Sequence, residues 1–195
     1  MSLYNVSLPP PSQELIAATV RKGATLSVDL SVYEMVKQSN PNINCAACIY
    51  FNSDEMYDLC KKEFGSYFDE EFFPTGIRMP NLDRNTTASY PPHYDGIRLT
   101  SLNFVIDSGG SNVLTKFYES TGSYDDLQGW MMPYEKEVPI SETVFQKGIW
   151  YGLDVKRTHS VDNIETERVS IALSFSNITI HDLVAKYPDL FTKVV

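Results

Sequence analysis

The sequence predicts a mainly β protein, a sandwich or jelly roll, braced by helices in its N-terminal part. Three observations carry this. Helix signals concentrate before residue 66. From Ala88 onward, short apolar or alternating runs are separated by turn residues at regular spacing. The chain has 195 residues with no internal repeat and no low-complexity linker, which fits one domain able to bury a core. Within it, residues 1–87 read as helical and strand support and residues 88–178 as the jelly-roll core.

Residues 1–11 read as irregular and end in Pro9-Pro10-Pro11. Ser12 is an N-cap for a helix over Gln13 to Arg21, closed at Gly23. Ala24 to Ser31 alternates, with Leu26, Val28 and Leu30 on one face, and reads as a strand. Tyr33 to Gln38 is a helical turn stopped by Asn40-Pro41. Ile43 to Phe51 is a second strand. Ser53 caps a helix over Asp54 to Phe64, which Gly65 closes. Residues 66–88 read as loop, because Pro74, Gly76 and Pro80 interrupt them, with Tyr67, Phe68, Phe72 and Phe73 packing against the helices.

The second half reads as strands at Arg98 to Asp107, Asn112 to Glu119, Thr143 to Asp154 with a turn at Gly148, His159 to Val161, and Arg168 to Ser176. Residues 120–133 form a long loop containing Trp130-Met131-Met132, either a substrate lid or a core plug. His181 to Lys186 reads as a terminal helix, with His181 on its surface.

Composition excludes several function classes. The net charge of −9 disfavours non-specific capture of nucleic acid or anionic membrane. No segment has the apolar length of a membrane span, and the N-terminus lacks a signal-peptide pattern. Cys45, Cys48 and Cys60 make an odd count. The Cys45-Ala-Ala-Cys48 spacing suits zinc or redox chemistry, but no fourth ligand lies near, so three reduced thiols in a cytoplasmic protein is the simpler reading.

The chemistry gathers around Tyr90-Pro91-Pro92-His93-Tyr94-Asp95-Gly96. In an extended segment, residues i and i+2 share a face, so His93 and Asp95 can reach one ion. The chain has three histidines, which leaves His159 and His181 as further imidazoles. Two histidines and a carboxylate take one face of an octahedron and leave positions open for cosubstrate or oxygen, the arrangement of non-heme Fe(II) sites; zinc accepts similar ligands. Arg168 and Ser170 share a strand face, and a guanidinium beside a hydroxyl is a receptor for a carboxylate. Taken singly, each of these residues is more simply a surface pair, a core histidine or an ion-pair partner.

Taken in order, His93-Tyr94-Asp95, His159-Ser160-Val161 and Arg168-Val169-Ser170 resemble the HxD…H…RxS pattern of the Fe(II)/2-oxoglutarate-dependent oxygenases, in the style of the prolyl-hydroxylase-like branch. The resemblance implies a double-stranded β-helix, a cupin-like jelly roll with a metal at one mouth. It implies Fe(II) held by His93, Asp95 and His159, with Arg168 and Ser170 on the distal carboxylate of 2-oxoglutarate. O2 is the oxidant, and ascorbate an optional addition. Asn103 and Tyr90 are candidates for a second 2-oxoglutarate anchor. The activity implied is a 2-oxoglutarate-dependent dioxygenase, a hydroxylase, and the carboxylate of Asp95 argues against the halogenating variant. Glu167 departs from the pattern, standing where many relatives have a turn glycine. Lys156-Arg157 reads as positive charge near the mouth. The alternatives are a cupin-like metal-binding module without oxidative activity and a purely structural jelly roll. The substrate stays open, with a small molecule or protein side chain favoured over nucleic acid by the acidic charge; the oligomeric state is not read.

Overall fold

The computed structural model describes residues 3–83, 85–122, 130–131 and 138–194. Its helices are α1 (Gln13–Ala24), α2 (Leu30–Ser39), α3 (Asp54–Phe64) and α4 (Ile180–Lys186). Its strands are β1 (Leu3–Val6), β2 (Ile49–Phe51), β3 (Phe73–Pro80), β4 (Ala88–Tyr94), β5 (Thr100–Ser108), β6 (Leu114–Thr121), β7 (Trp130–Met131), β8 (Pro139–Val144), β9 (Trp150–Asp154), β10 (Arg157–Ile164), β11 (Glu167–Phe175) and β12 (Phe191–Lys193). They form a seven-stranded sheet, ordered β12-β1-β9-β5-β11-β3-β2, and a five-stranded sheet, ordered β7-β4-β10-β6-β8.

From β4 to β11 the chain passes repeatedly between the sheets: β5, β9 and β11 lie in the larger one, β4, β6, β8 and β10 in the smaller. That winding is a jelly roll, as the sequence predicts. The interior between the sheets holds two apolar clusters. One joins Ile77, Met79 and Ala172 to Tyr90 and Val161. The other joins Val105, Tyr151 and Leu153 to Phe117. β11 shows why both faces matter. Ile171, Leu173 and Phe175 face the helices, in a cluster with Leu15 of α1, Met56, Cys60 and Phe64 of α3 and Leu183 of α4. The alternate residues, Arg168, Ser170, Ala172 and Ser174, face the interior. No helix among the described residues is long and apolar enough to cross a membrane.

The N-capping logic holds for α1 and α3: the Leu15 N–H donates to Ser12 Oγ at 3.1 Å and the Met56 N–H to Ser53 Oγ at 3.2 Å, whereas α1 runs past Gly23 to Ala24 and is capped by Thr25. Four segments differ from expectation. Ala24 to Ser31 is not a strand. The Ser31 N–H donates to Asp29 Oδ1 at 2.9 Å, so Asp29 starts α2, and Leu30 is exposed. Of Ile43 to Phe51, the last three residues form β2, and Cys45 makes an isolated bridge to Ser89. The stretch read as loop contains β3, paired along its length with β11. Pro74 and Pro80 fit there because β2 covers β3 over Gly76 to Arg78 alone, so both prolines sit where β3 is an edge. Gly76 is needed because the Phe51 ring occupies the place a Cβ would take. Finally, β1 and β12 pair with each other, and β1 with β9, which turns part of the N-terminal segment read as irregular into sheet.

Candidate metal centre

β4 and β10 are neighbours, and their register sets His159 directly opposite His93. The register shifts between that pair and the next, Val161 opposite Tyr90. Two steps on β10 match three on β4, so β4 carries a bulge at Pro91-Pro92, where residues without an N–H cost the ladder little. The bulge brings Tyr90 and His93 to one side, their rings edge-on with centroids 4.7 Å apart. The His93 and His159 rings lie 4.3 Å apart. Asp95 follows two residues on. One ligand atom from each of His93, Asp95 and His159 lies within 4.8 Å of the others, and all three residues are buried. Among the described residues this is the group able to hold a metal.

The imidazoles are set for that task. His93 Nδ1 lies 2.8 Å from the Pro91 carbonyl oxygen and His159 Nδ1 lies 2.9 Å from that of Arg157. A carbonyl only accepts, so each Nδ1 donates and Nε2 keeps its lone pair for an ion. Burial, reinforced by His159, pushes His93 down to about 3, so its ring is neutral at ordinary pH. Asp95 is held by a residue that sequence reasoning missed. Arg98 Nη2 lies 2.7 Å from Asp95 Oδ2, with both side chains buried. Burial alone would raise the Asp95 carboxyl; Arg98, then His159 and His93, hold it below the usual range. One carboxylate oxygen therefore serves Arg98 and the other is available to an ion. Two imidazoles with one carboxylate suit a transition metal such as iron or zinc better than magnesium or calcium, which take oxygen ligands.

Lys156 corrects a second expectation. It is fully buried and does not project from the mouth. Its ammonium donates to the carbonyls of Asp95, at 2.9 Å, and Gly96, fastening the corner that carries Asp95. Arg157 turns to the β6 carbonyl of Tyr118, 3.1 Å away.

Arg168 is buried between the sheets. It donates to Thr115 Oγ1 at 3.2 Å and lies 5.1 Å from the Phe145 ring centroid, and no carboxylate partners it among the described residues. Burial pushes its guanidinium down to about 10. Thr115 is two residues along β6 from Phe117, which lies opposite His159. Arg168 thus belongs to the same interior as the triad, and the buried Ser170 is two residues along on the same face. Asn103 sits in the row Tyr151–Asn103–Ala172, which also faces inward, and accepts from Ser101 Oγ at 2.6 Å. Tyr90 touches the triad directly. Glu167 pairs with Arg78, and the turn before it is held by the Gly109 carbonyl, which accepts from the N–H groups of Glu165 and Thr166 at 2.8 and 3.0 Å.

β7 pairs with β4, Met131 opposite His93. Most of the Ser120 to Pro133 loop, including Met132, lies outside the described residues. Cys45, Cys48 and Cys60 are free, and burial pushes the Cys48 and Cys60 thiols up to about 12. A signal for Arg98 was present, a cation three residues after the acid; for the inward turn of Lys156 none was.

No protein-family model and no curated protein matches the chain. Among solved structures, it is similar to a prolyl-4-hydroxylase from Pseudomonas putida at 16% identity and TM-score 0.47, covering 90% of this chain and 92% of the other. It is similar to AviO1 from Streptomyces viridochromogenes at 14% and 0.43, covering 90% of each. A cupin domain from Bordetella pertussis aligns at 15% and 0.34, covering 56% of this chain and 88% of that one. The strand order, not these identities, carries the fold.

Proposed function

We propose that the protein is an Fe(II)- and 2-oxoglutarate-dependent oxygenase, a hydroxylase, with ascorbate an optional addition. The observation that carries the reading is Arg168: a cation buried in the same interior as a His-Asp-His cluster, with no carboxylate of its own among the described residues. Burying an unpaired charge is costly, and a ligand carboxylate repays it.

His93, Asp95 and His159 hold the metal. Bound iron, with 2-oxoglutarate and O2, supplies oxidation of the substrate coupled to decarboxylation of the cosubstrate to succinate. The chain's own residues do the rest. Arg168 takes the far carboxylate of 2-oxoglutarate through its planar fork, Thr115 orients that fork, and Ser170 adds a hydroxyl donor. The neutral His93 needs no proton displaced before it binds metal. Arg98 and Lys156 fix Asp95 from the side chain and the backbone respectively. Tyr90 and Phe117, buried beside the imidazoles, exclude water. The three unbridged cysteines suit a reducing compartment.

The test is anaerobic calorimetry of 2-oxoglutarate on the chain with and without Fe(II). One equivalent should bind when Fe(II) is present, and binding should weaken strongly in its absence or in His159→Ala. Metal binding with no 2-oxoglutarate binding would favour the non-oxidative module.

A further inference from the structure

We infer that the cavity beside the Asp95–Arg98 pair receives the substrate and selects an uncharged molecule with an apolar or aromatic body. This rests on the oxygenase reading and deepens it. The cavity, about 490 Å³, lies between β2, the start of β3 and the corner joining β4 to β5. That volume falls within the range of small-molecule sites, roughly 300–1,000 Å³. Asp95 is both a wall of the cavity and a member of the triad, so a molecule held there lies against one of the three residues that would hold the metal.

The walls are mostly Tyr50, Phe51, Phe73, Pro74 and Ile97. The two charged residues that line it, Asp95 and Arg98, neutralise each other at 2.7 Å. Arg98 is further committed: Nη1 reaches Ser174 Oγ at 3.5 Å, and the Tyr50 ring centroid lies 4.9 Å from the guanidinium. The polar walls are engaged as well. Thr75 Oγ1 lies 3.3 Å from Ser174 Oγ, and Asn52 Oδ1 accepts from the Ser53 N–H at 2.8 Å. An ionised substrate would enter without a counter-ion, whereas an apolar or aromatic body gains contact with the rings. The contrast with Arg168 sharpens this. Among the described residues two arginines are buried, one with a carboxylate at 2.7 Å and one with none. The second is the anion receptor; the first is not.

Three probes of matched shape test the assignment: 2-naphthalenemethanol, 2-naphthoate and 2-naphthylmethylammonium. They are titrated by calorimetry into the full chain, metal-free and, anaerobically, with Fe(II) and 2-oxoglutarate. The alcohol should bind at least tenfold more tightly than either ion. Ile97→Trp and Asn52→Trp, at the exposed rim, should each weaken the alcohol at least tenfold while Fe(II) affinity holds. Naphthoate binding that is tighter than the alcohol's with 2-oxoglutarate present, so that Arg168 is occupied, and that is weakened by the rim variants would make Arg98 an anion receptor and overturn the inference. So would equal affinity for the three, no binding of the alcohol, or an alcohol affinity indifferent to both rim variants. The metal-free titration judges the cavity by itself, so a chain that fails to bind Fe(II) or 2-oxoglutarate refutes the oxygenase reading separately.

Discussion

Replacing Arg168 by methionine should stabilise the ligand-free protein and weaken the proposed binding of 2-oxoglutarate. Burial lowers the guanidinium from its ordinary value to about 10. At about 1.4 kcal/mol per pH unit, that is a penalty on the order of 3 kcal/mol. Methionine fills similar space without it but loses the hydrogen bond to Thr115, worth about 1 kcal/mol. The net gain is about 2 kcal/mol, or a rise in Tm of about 4–8 °C for a chain of this length. The sign has a pH signature. The folded value lies below the unfolded one, so the unfolded chain binds more protons between them, and the penalty is relieved only above pH about 10. The gain should therefore be constant from about pH 6 to 9. On the ligand side, the lost charge-assisted hydrogen bonds are worth about 1.5–3 kcal/mol each, so affinity for 2-oxoglutarate should fall at least about tenfold. Thermal melts of both proteins, with and without 2-oxoglutarate and metal, read both effects. A variant that melts below the wild type without ligand would make Arg168 a structural residue. One that keeps full affinity would remove it from the cosubstrate site.

Three further outcomes follow from the geometry. Arg98→Met leaves Asp95 buried without its counter-ion and should cost about 3–5 kcal/mol in the metal-free protein, with most of it recovered on adding Fe(II), because the dication replaces the guanidinium as partner; an equal loss with and without metal would uncouple the pair from the metal centre. His93 has a folded value of about 3 against 6.5 unfolded, so metal-free stability should fall as pH drops from about 6.5 toward 3, by up to about 1.4 kcal/mol per unit; urea titrations should show that slope flattened in His93→Gln, and an unchanged slope would refute the assignment. Gly76→Ala drives a methyl into the Phe51 ring and should cost about 1–3 kcal/mol, largely restored by adding Phe51→Leu; a double-mutant cycle with no coupling would contradict that contact.

The parts legible in the sequence were those governed by local rules. Ser12 and Ser53 cap their helices because a cap involves a few adjacent residues. The alternation in β11 shows because one face meets helices and the other meets the interior. His93, Asp95 and His159 come together because the HxD spacing is local and β10 folds back onto β4. What was not legible depends on partners distant in the chain. The prolines of β3 look like breakers until the short β2 leaves them at an edge. β1 becomes a strand only when β9 and β12 flank it. Lys156 resembles a surface charge until the corner at Asp95 and Gly96 presents two carbonyls to it. Leu26, Val28 and Leu30 alternate like a strand, but the Asp29 cap outweighs the pattern.

The most direct test of the central claim is aerobic succinate formation by the purified chain supplied with Fe(II) and 2-oxoglutarate and no added substrate. Succinate should appear at a slow, Fe(II)-dependent rate, one for each 2-oxoglutarate consumed, and should be absent from Asp95→Ala and His159→Ala proteins that remain folded. A folded chain that binds Fe(II) at the triad yet forms no succinate, or forms it equally in both variants, would contradict the account.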